Sequence, residues 1–88
     1  MRTIWVFGFD GTLTESNSDH LRRRLNPACR EMLCYLAEEP SFATAILSSR
    51  ALDDLVSRTP VSELILGGGS GAEWRLLDGS YMTLSGLP

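Results

Sequence analysis

The stretch Thr3-Ile4-Trp5-Val6-Phe7-Gly8-Phe9-Asp10-Gly11-Thr12-Leu13-Thr14 decides how this 88-residue chain folds. Thr3 to Phe7 is almost continuously apolar and rich in β-branched and aromatic side chains, without the alternation of a half-exposed strand. Such a run predicts a strand buried on both faces, in the interior of a parallel sheet. The chain then turns polar from Gly8 to Leu25, a length that marks a functional loop in a small domain. Asn26-Pro27 opens a helix, Asn26 as cap and Pro27 in the first turn, with Ala28, Met32, Leu33, Leu36 and Ala37 as its apolar stripe and Pro40 as its stop. Phe42 to Leu47 reads as a second strand. Ser48 or Ser49 can cap a second helix with Leu52, Leu55 and Val56 inward and Thr59-Pro60 as its end. Leu64 to Leu66 is a third strand and Gly67 to Gly71 a turn. Asp78-Gly79, flanked by Trp74, Leu76, Tyr81 and Met82, signals a hairpin. The order β-α-β-α-β plus a hairpin is an α/β fold with a parallel sheet and right-handed crossovers.

Composition narrows the partners. Eight Arg against eleven acidic residues give a net charge of −3, which argues against nucleic acid. There is no Lys, so no step within the chain can use a lysine ammonium. No apolar run approaches the roughly 20 residues of a membrane span, and Met1 to Phe7 lacks the form of a signal peptide. The expected setting is cytoplasmic, without a membrane partner. Cys29 and Cys34, five positions apart, diverge by about 140° on a helix. They are expected to be buried free thiols.

Phe7 to Thr14 resembles the first motif of the haloacid dehalogenase-like (HAD) phosphatases, a hydrophobic strand followed by Asp-x-Asp-Gly-Thr. Asp10-Gly11-Thr12-Leu13-Thr14 matches it, and the position of the first Asp is Gly8. The resemblance implies a partial HAD-like, Rossmannoid sheet and a pocket at the carboxyl ends of its strands. In that family the first Asp attacks phosphorus, forming an aspartyl-phosphate, and binds Mg²⁺. Glycine can do neither. The second Asp, matched by Asp10, is the family's acid/base and gives the metal its backbone carbonyl. Thr12 shapes the turn.

Ala45 to Arg50 resembles the family's second motif, a strand ending in Ser or Thr whose hydroxyl donates to the phosphoryl group. Ser48 fits that role and fits equally a plain cap. Arg50 follows it and faces either an anionic substrate or Asp53 and Asp54 one helical turn on. Gly67 to Arg75 lacks the Gly-Lys-Ser/Thr of a P-loop and precedes a hairpin rather than a helix. It also misses a Gly-x-Ser-x-Gly elbow, having Ala72 at the last position. It resembles the turn before the cap domain of trehalose-6-phosphate phosphatases, with Gly71, Ala72 and Glu73 matched and Ser70 where a His is usual. By that resemblance Glu73 is a sugar ligand; otherwise it is a solvated strand-end carboxylate. His20 with Arg22, Arg23 and Arg24 forms a small basic cluster, read as a solvated loop face.

The expected division is residues 1–71 as the front of the HAD-like core and 72–88 as the start of a cap hairpin. The family's third motif, with Lys, and fourth motif, with metal-binding acids, are missing from these 88 residues. The expectation is a truncated sugar-phosphate phosphatase that is inactive because Gly8 replaces the nucleophile, with Mg²⁺ binding doubtful. The alternative is a non-catalytic module that binds a phosphosugar or another protein, and a gene fragment with no role of its own is a third reading. In the family a fourth strand lies beside the first. Without it the first strand would expose an apolar edge and promote self-association there.

Overall fold

A computed structural model describes residues 3–14 and 24–84. It contains β1 (Thr3–Gly8), α1 (Pro27–Ala37), β2 (Phe42–Leu47), α2 (Leu52–Arg58), β3 (Ile65–Gly68), a 3-10 turn (Gly69–Gly71), β4 (Glu73–Arg75) and β5 (Tyr81–Thr83). The five strands form one sheet in the order β1-β2-β3-β4-β5, with β1, β2 and β3 parallel and β4 and β5 antiparallel. The α/β architecture expected from the sequence is present.

Consecutive parallel strands joined by right-handed crossovers in one direction put both helices on the same side of the sheet. The core lies between them: Leu33 of α1 and Leu52 and Leu55 of α2 pack with Ile46 and Leu66 of the sheet. Phe9 and Leu13, inside the stretch read as a polar loop, are fully buried in the same cluster. A bridge between Thr14 and Leu25, and the Asn26 N–H donating to the Leu13 carbonyl at 2.8 Å, tie the two ends of that loop together. His20, Arg22 and Arg23 lie outside the described residues.

The burial on both faces expected for the first strand is not found, whereas the exposed edge expected where the fourth strand is absent is present among the described residues. β1 is an edge strand, and Ile4, Trp5 and Val6 are exposed. The run is apolar, but among the described residues it has a strand on one side only and helices over one face only. The α1 stripe also shifts. Leu33 is buried and Cys29 and Ala37 pack against the core, whereas Ala28 and Met32 face outward. The start is as expected: Asn26 Oδ1 accepts the Ala28 N–H at 2.9 Å, and Pro27 sits in the first turn. The cysteines are free, but Cys34 is exposed and Cys29 half-buried, because only position 29 falls on the inward face.

Neither Ser48 nor Ser49 caps α2. Its cap is Ala51, whose side chain cannot accept a hydrogen bond, and the Leu52 N–H is taken instead by Glu73 Oε2 at 3.3 Å. The third strand starts at Ile65 and runs through two glycines that the sequence suggests as turn residues. Both glycines allow close packing. A Cβ on Gly67 would lie 2.5 Å from the Trp74 ring, and one on Gly68 would lie 2.5 Å from the Leu52 backbone. The hairpin turns at Asp78-Gly79 as expected. Gly79 has φ +87°, and Asp78 Oδ1 accepts the Ser80 N–H at 2.9 Å and hydroxyl at 2.6 Å. Hydrogen bonds from Ser80 hold the Asp78 carboxyl below its ordinary pKa.

Candidate functional site

The carboxyl ends of β1, β2 and β3 meet at one end of the sheet, the usual place for a ligand in open α/β folds. Register puts Gly8 opposite Leu47 and Leu47 opposite Gly67. The loops that follow are stitched together. The Ser48 N–H donates to the Gly67 carbonyl at 2.9 Å, the Gly69 N–H to Arg50 O at 2.6 Å, and the Ser70 N–H to Ser48 O at 2.9 Å. Ser70 adopts φ 56°, a left-handed conformation unusual outside glycine, in making that last bond.

Gly8 ends β1 and is exposed. A Cβ there would meet only the Thr12 hydroxyl oxygen, at 3.6 Å, so a larger side chain has room to start. Two residues on, Asp10 is held by Arg50. The guanidinium Nη2 donates to Asp10 Oδ1 at 2.8 Å, and Nε lies 3.2 Å and 3.1 Å from the two carboxylate oxygens. Arg50 Nη1 also donates to Asp54 at 3.1 Å, and the guanidinium carbon lies 5.7 Å from the centre of the Phe9 ring. The chain of charge continues to Arg58, whose Nε donates to Asp54 Oδ1 at 3.0 Å.

Burial sharpens this pairing. The Arg50 side chain is 2% exposed and that of Asp10 21%. A fork-shaped donor on a carboxylate in such a setting is strong and directional. The hydrogen bond to Asp10 raises the Arg50 pKa against the opposing effect of desolvation, so Arg50 is a fixed cation. Burial pushes the Asp54 carboxyl up, but its bonds to Arg50 and Arg58 together outweigh this and hold it below the usual carboxylate value.

Ser48 is buried, and its Oγ accepts the Arg50 N–H at 3.0 Å. That bond uses a lone pair and leaves the hydroxyl proton to donate elsewhere. Thr12 is exposed, and its N–H lies 3.4 Å from the Phe9 carbonyl. The turn is also tied by Thr14 of the same motif, whose Oγ1 accepts the Gly11 N–H at 3.0 Å. Glu73 borders a shallow cavity of about 510 Å³ with Ala51, Leu52, Asp53, Val56 and Tyr81.

The structure thus brings Gly8, Asp10, Thr12, Ser48 and Arg50 to one end of the sheet and sets Glu73 at the start of α2. The Arg50–Asp54–Arg58 ladder has a visible signal in its four-residue spacing. The Asp10–Arg50 pair has none, since 40 positions separate the partners. The resemblance of the first motif to that of the HAD phosphatases implies Mg²⁺. The described residues do not by themselves fit that ion. Position 8 carries no side-chain oxygen, and no group of three or more His, Cys, Asp or Glu side chains among the described residues could hold a metal.

No curated protein sequence matches the chain significantly. Among solved structures, the C-terminal domain of a C. albicans trehalose-6-phosphate phosphatase is similar with a TM-score of 0.85 at 21% identity, over 96% of this chain and 29% of that one. An Aspergillus fumigatus trehalose-6-phosphate phosphatase is similar with a TM-score of 0.83 at 26% identity, over 96% and 32%. A HAD-superfamily phosphatase from Bacteroides thetaiotaomicron, BT1666, has a TM-score of 0.64 at 21% identity, over 100% and 31%. The chain therefore spans about a third of the length of the structures it matches. The family model for trehalose-phosphatase matches residues 6–87, nearly the whole sequence, and the chain belongs to the trehalose-phosphatase family.

Proposed function

We propose that this chain is a phosphatase-like polypeptide carrying the front part of a sugar-phosphate pocket, and that by itself it does not hydrolyse phosphomonoesters. One observation carries the reading. At the strand end where the family's attacking carboxylate belongs stands Gly8, while Asp10 and Ser48 are in place around it. Without a carboxylate at position 8 no aspartyl-phosphate can form there. Asp10, as the family's acid/base, has no nucleophile to assist. Ser48 keeps a hydroxyl proton for a phosphoryl oxygen, and Glu73 a carboxylate for a sugar hydroxyl. In this reading residues 1–71 belong to the core and 72–88 lead into a cap.

A second reading, a non-catalytic phosphosugar-binding module, is favoured by the Asp10–Arg50 lock, which holds the pocket together without the missing carboxylate. Phosphate release and ligand binding separate the two. The natural chain and Gly8→Asp are incubated with trehalose 6-phosphate and Mg²⁺, and amide shifts of Ser48, Arg50 and Ser70 are followed in parallel. The phosphatase-like reading expects no release from the natural chain and Mg²⁺-dependent release once Gly8→Asp is made in this chain or in a longer parent that supplies the Lys and acidic motifs. Binding by both without turnover by either favours the second reading. Release by the natural chain overturns the claim of inactivity, and no binding by either removes the phosphosugar.

A further inference from the structure

Thr44 carries a cost that the fold does not explain. It lies in β2, is 1% exposed, and its Oγ1 is buried without a hydrogen-bond partner. A buried hydroxyl left unpaired is destabilising, and valine fills nearly the same space without that penalty. Thr44 stands two positions before Ile46, so its side chain lies on the same side of the sheet, the one that faces the helices.

On that side Thr44 lines a cavity of about 410 Å³ together with Leu36 of α1, Phe42, Leu77, Glu39 and Glu63. The cavity sits at the amino end of β2, whereas Ser48 follows its carboxyl end, so it is separate from the site around Asp10 and Arg50. Leu36 of α1 forms one wall, so it is separate also from the sheet face that has no described helix over it.

Charge in the cavity is of one sign. Glu39 and Glu63 line it and no arginine does. The Ser41 hydroxyl and N–H both donate to Glu39 Oε1, at 2.7 Å and 3.1 Å, which holds that carboxyl below its ordinary pKa and leaves Oε2 for another donor. Arg75 turns its Nη2 to the Val61 and Leu64 carbonyls instead of to Glu63.

We infer that this cavity binds a small organic cation, a primary ammonium on a short apolar chain. Such a group has three N–H donors and no acceptor. The cavity offers acceptors to match, the Glu39 and Glu63 carboxylates and Thr44 Oγ1, and Leu36, Phe42 and Leu77 receive the apolar chain. An anion would meet two like charges. A hard metal ion, which takes about six or more oxygen ligands, would meet apolar walls. In the free chain the Thr44 hydroxyl is an uncompensated penalty, and a bound ammonium removes it.

Amide shifts of the isotope-labelled natural chain under n-butylammonium test this, with n-butanol as a control lacking the charge and tetramethylammonium as one lacking N–H donors. Saturable shifts at Phe42, Thr44 and Glu63 are expected with n-butylammonium, and binding weaker by about tenfold or more with either control. Thr44→Val is expected to raise the urea midpoint and to weaken n-butylammonium binding by about tenfold or more. Thr59→Val removes another buried hydroxyl without a partner, one that does not line this cavity, and is expected to bind as the natural chain does. Should Thr44→Val fail to fold, Glu63→Gln, at an exposed position, serves instead and is expected to weaken binding likewise. The absence of any saturable shift overturns the proposal. So does equal binding of n-butanol, unchanged binding in the Thr44 or Glu63 variant, or a lowered midpoint in a folded Thr44→Val, which would mean that the hydroxyl already has a partner.

Discussion

Gly68 shows how tightly the site is built. Its Cα passes so close to the start of α2 that any Cβ would overlap the Leu52 backbone, which cannot rotate away as a side chain could. Gly68→Ala should therefore cost about 2 kcal/mol or more, read from the shift in urea midpoint at constant slope. Arg50 makes the second residue-scale case. It is a single buried cation shared by Asp10 and Asp54, and the bond to Asp10 is forked. A double-mutant cycle on Asp10 and Arg50 should give a coupling of about 1–3 kcal/mol. The same cycle on Asp54 and Arg58, a more exposed pair at four-residue spacing, should give less than about 1 kcal/mol. Equal couplings would mean that burial adds nothing to the first pair. At this scale the residue types were legible: Asp10, Ser48 and Arg50 stand out in the sequence. Their pairing was not, because a contact across 40 positions leaves no local pattern.

Elements were legible where their ends carry chemistry. Asn26-Pro27 names the start of α1 because an amide side chain can take the orphan N–H of Ala28 and proline suits the first turn. Asn26→Ala should cost about 1 kcal/mol, with Asn26→Ser recovering most of it, measured by thermal or urea unfolding. Asp78-Gly79 names its hairpin for the same reason, since glycine tolerates the positive φ that the turn requires. The start of α2 is not legible in its own sequence because its cap is not local. Glu73, 21 positions on, reaches the Leu52 N–H that a nearby serine was expected to take. β3 runs two residues past its expected end for a related reason. Glycine signals a turn by its freedom, yet Gly67 and Gly68 are in the strand because Trp74 and the α2 backbone leave no room for a side chain.

Over the whole molecule, stability should depend on acid through Asp54. Its folded-state pKa lies below the ordinary value of 3.8, so the folded state binds that proton less readily than the unfolded chain. The contribution is complete above that value and is lost as pH falls through the lower folded value. Unfolding midpoints should hold between pH 7 and pH 5 and drop below about pH 4, with a smaller drop in Asp54→Asn. An equal drop in that variant would place the acid sensitivity elsewhere. The sequence alone determined the α/β class, the element order and the residues around the strand ends. Each follows from local chemistry: side-chain shape, cap, turn and short spacing. Only the tertiary structure decided that Ile4, Trp5 and Val6 are exposed, that Arg50 is locked inward on Asp10, and that one apolar sheet face has no described helix over it. Those depend on what lies beside a residue in space, and apolar character measures how much burial a strand can use, not whether a neighbour is present to provide it.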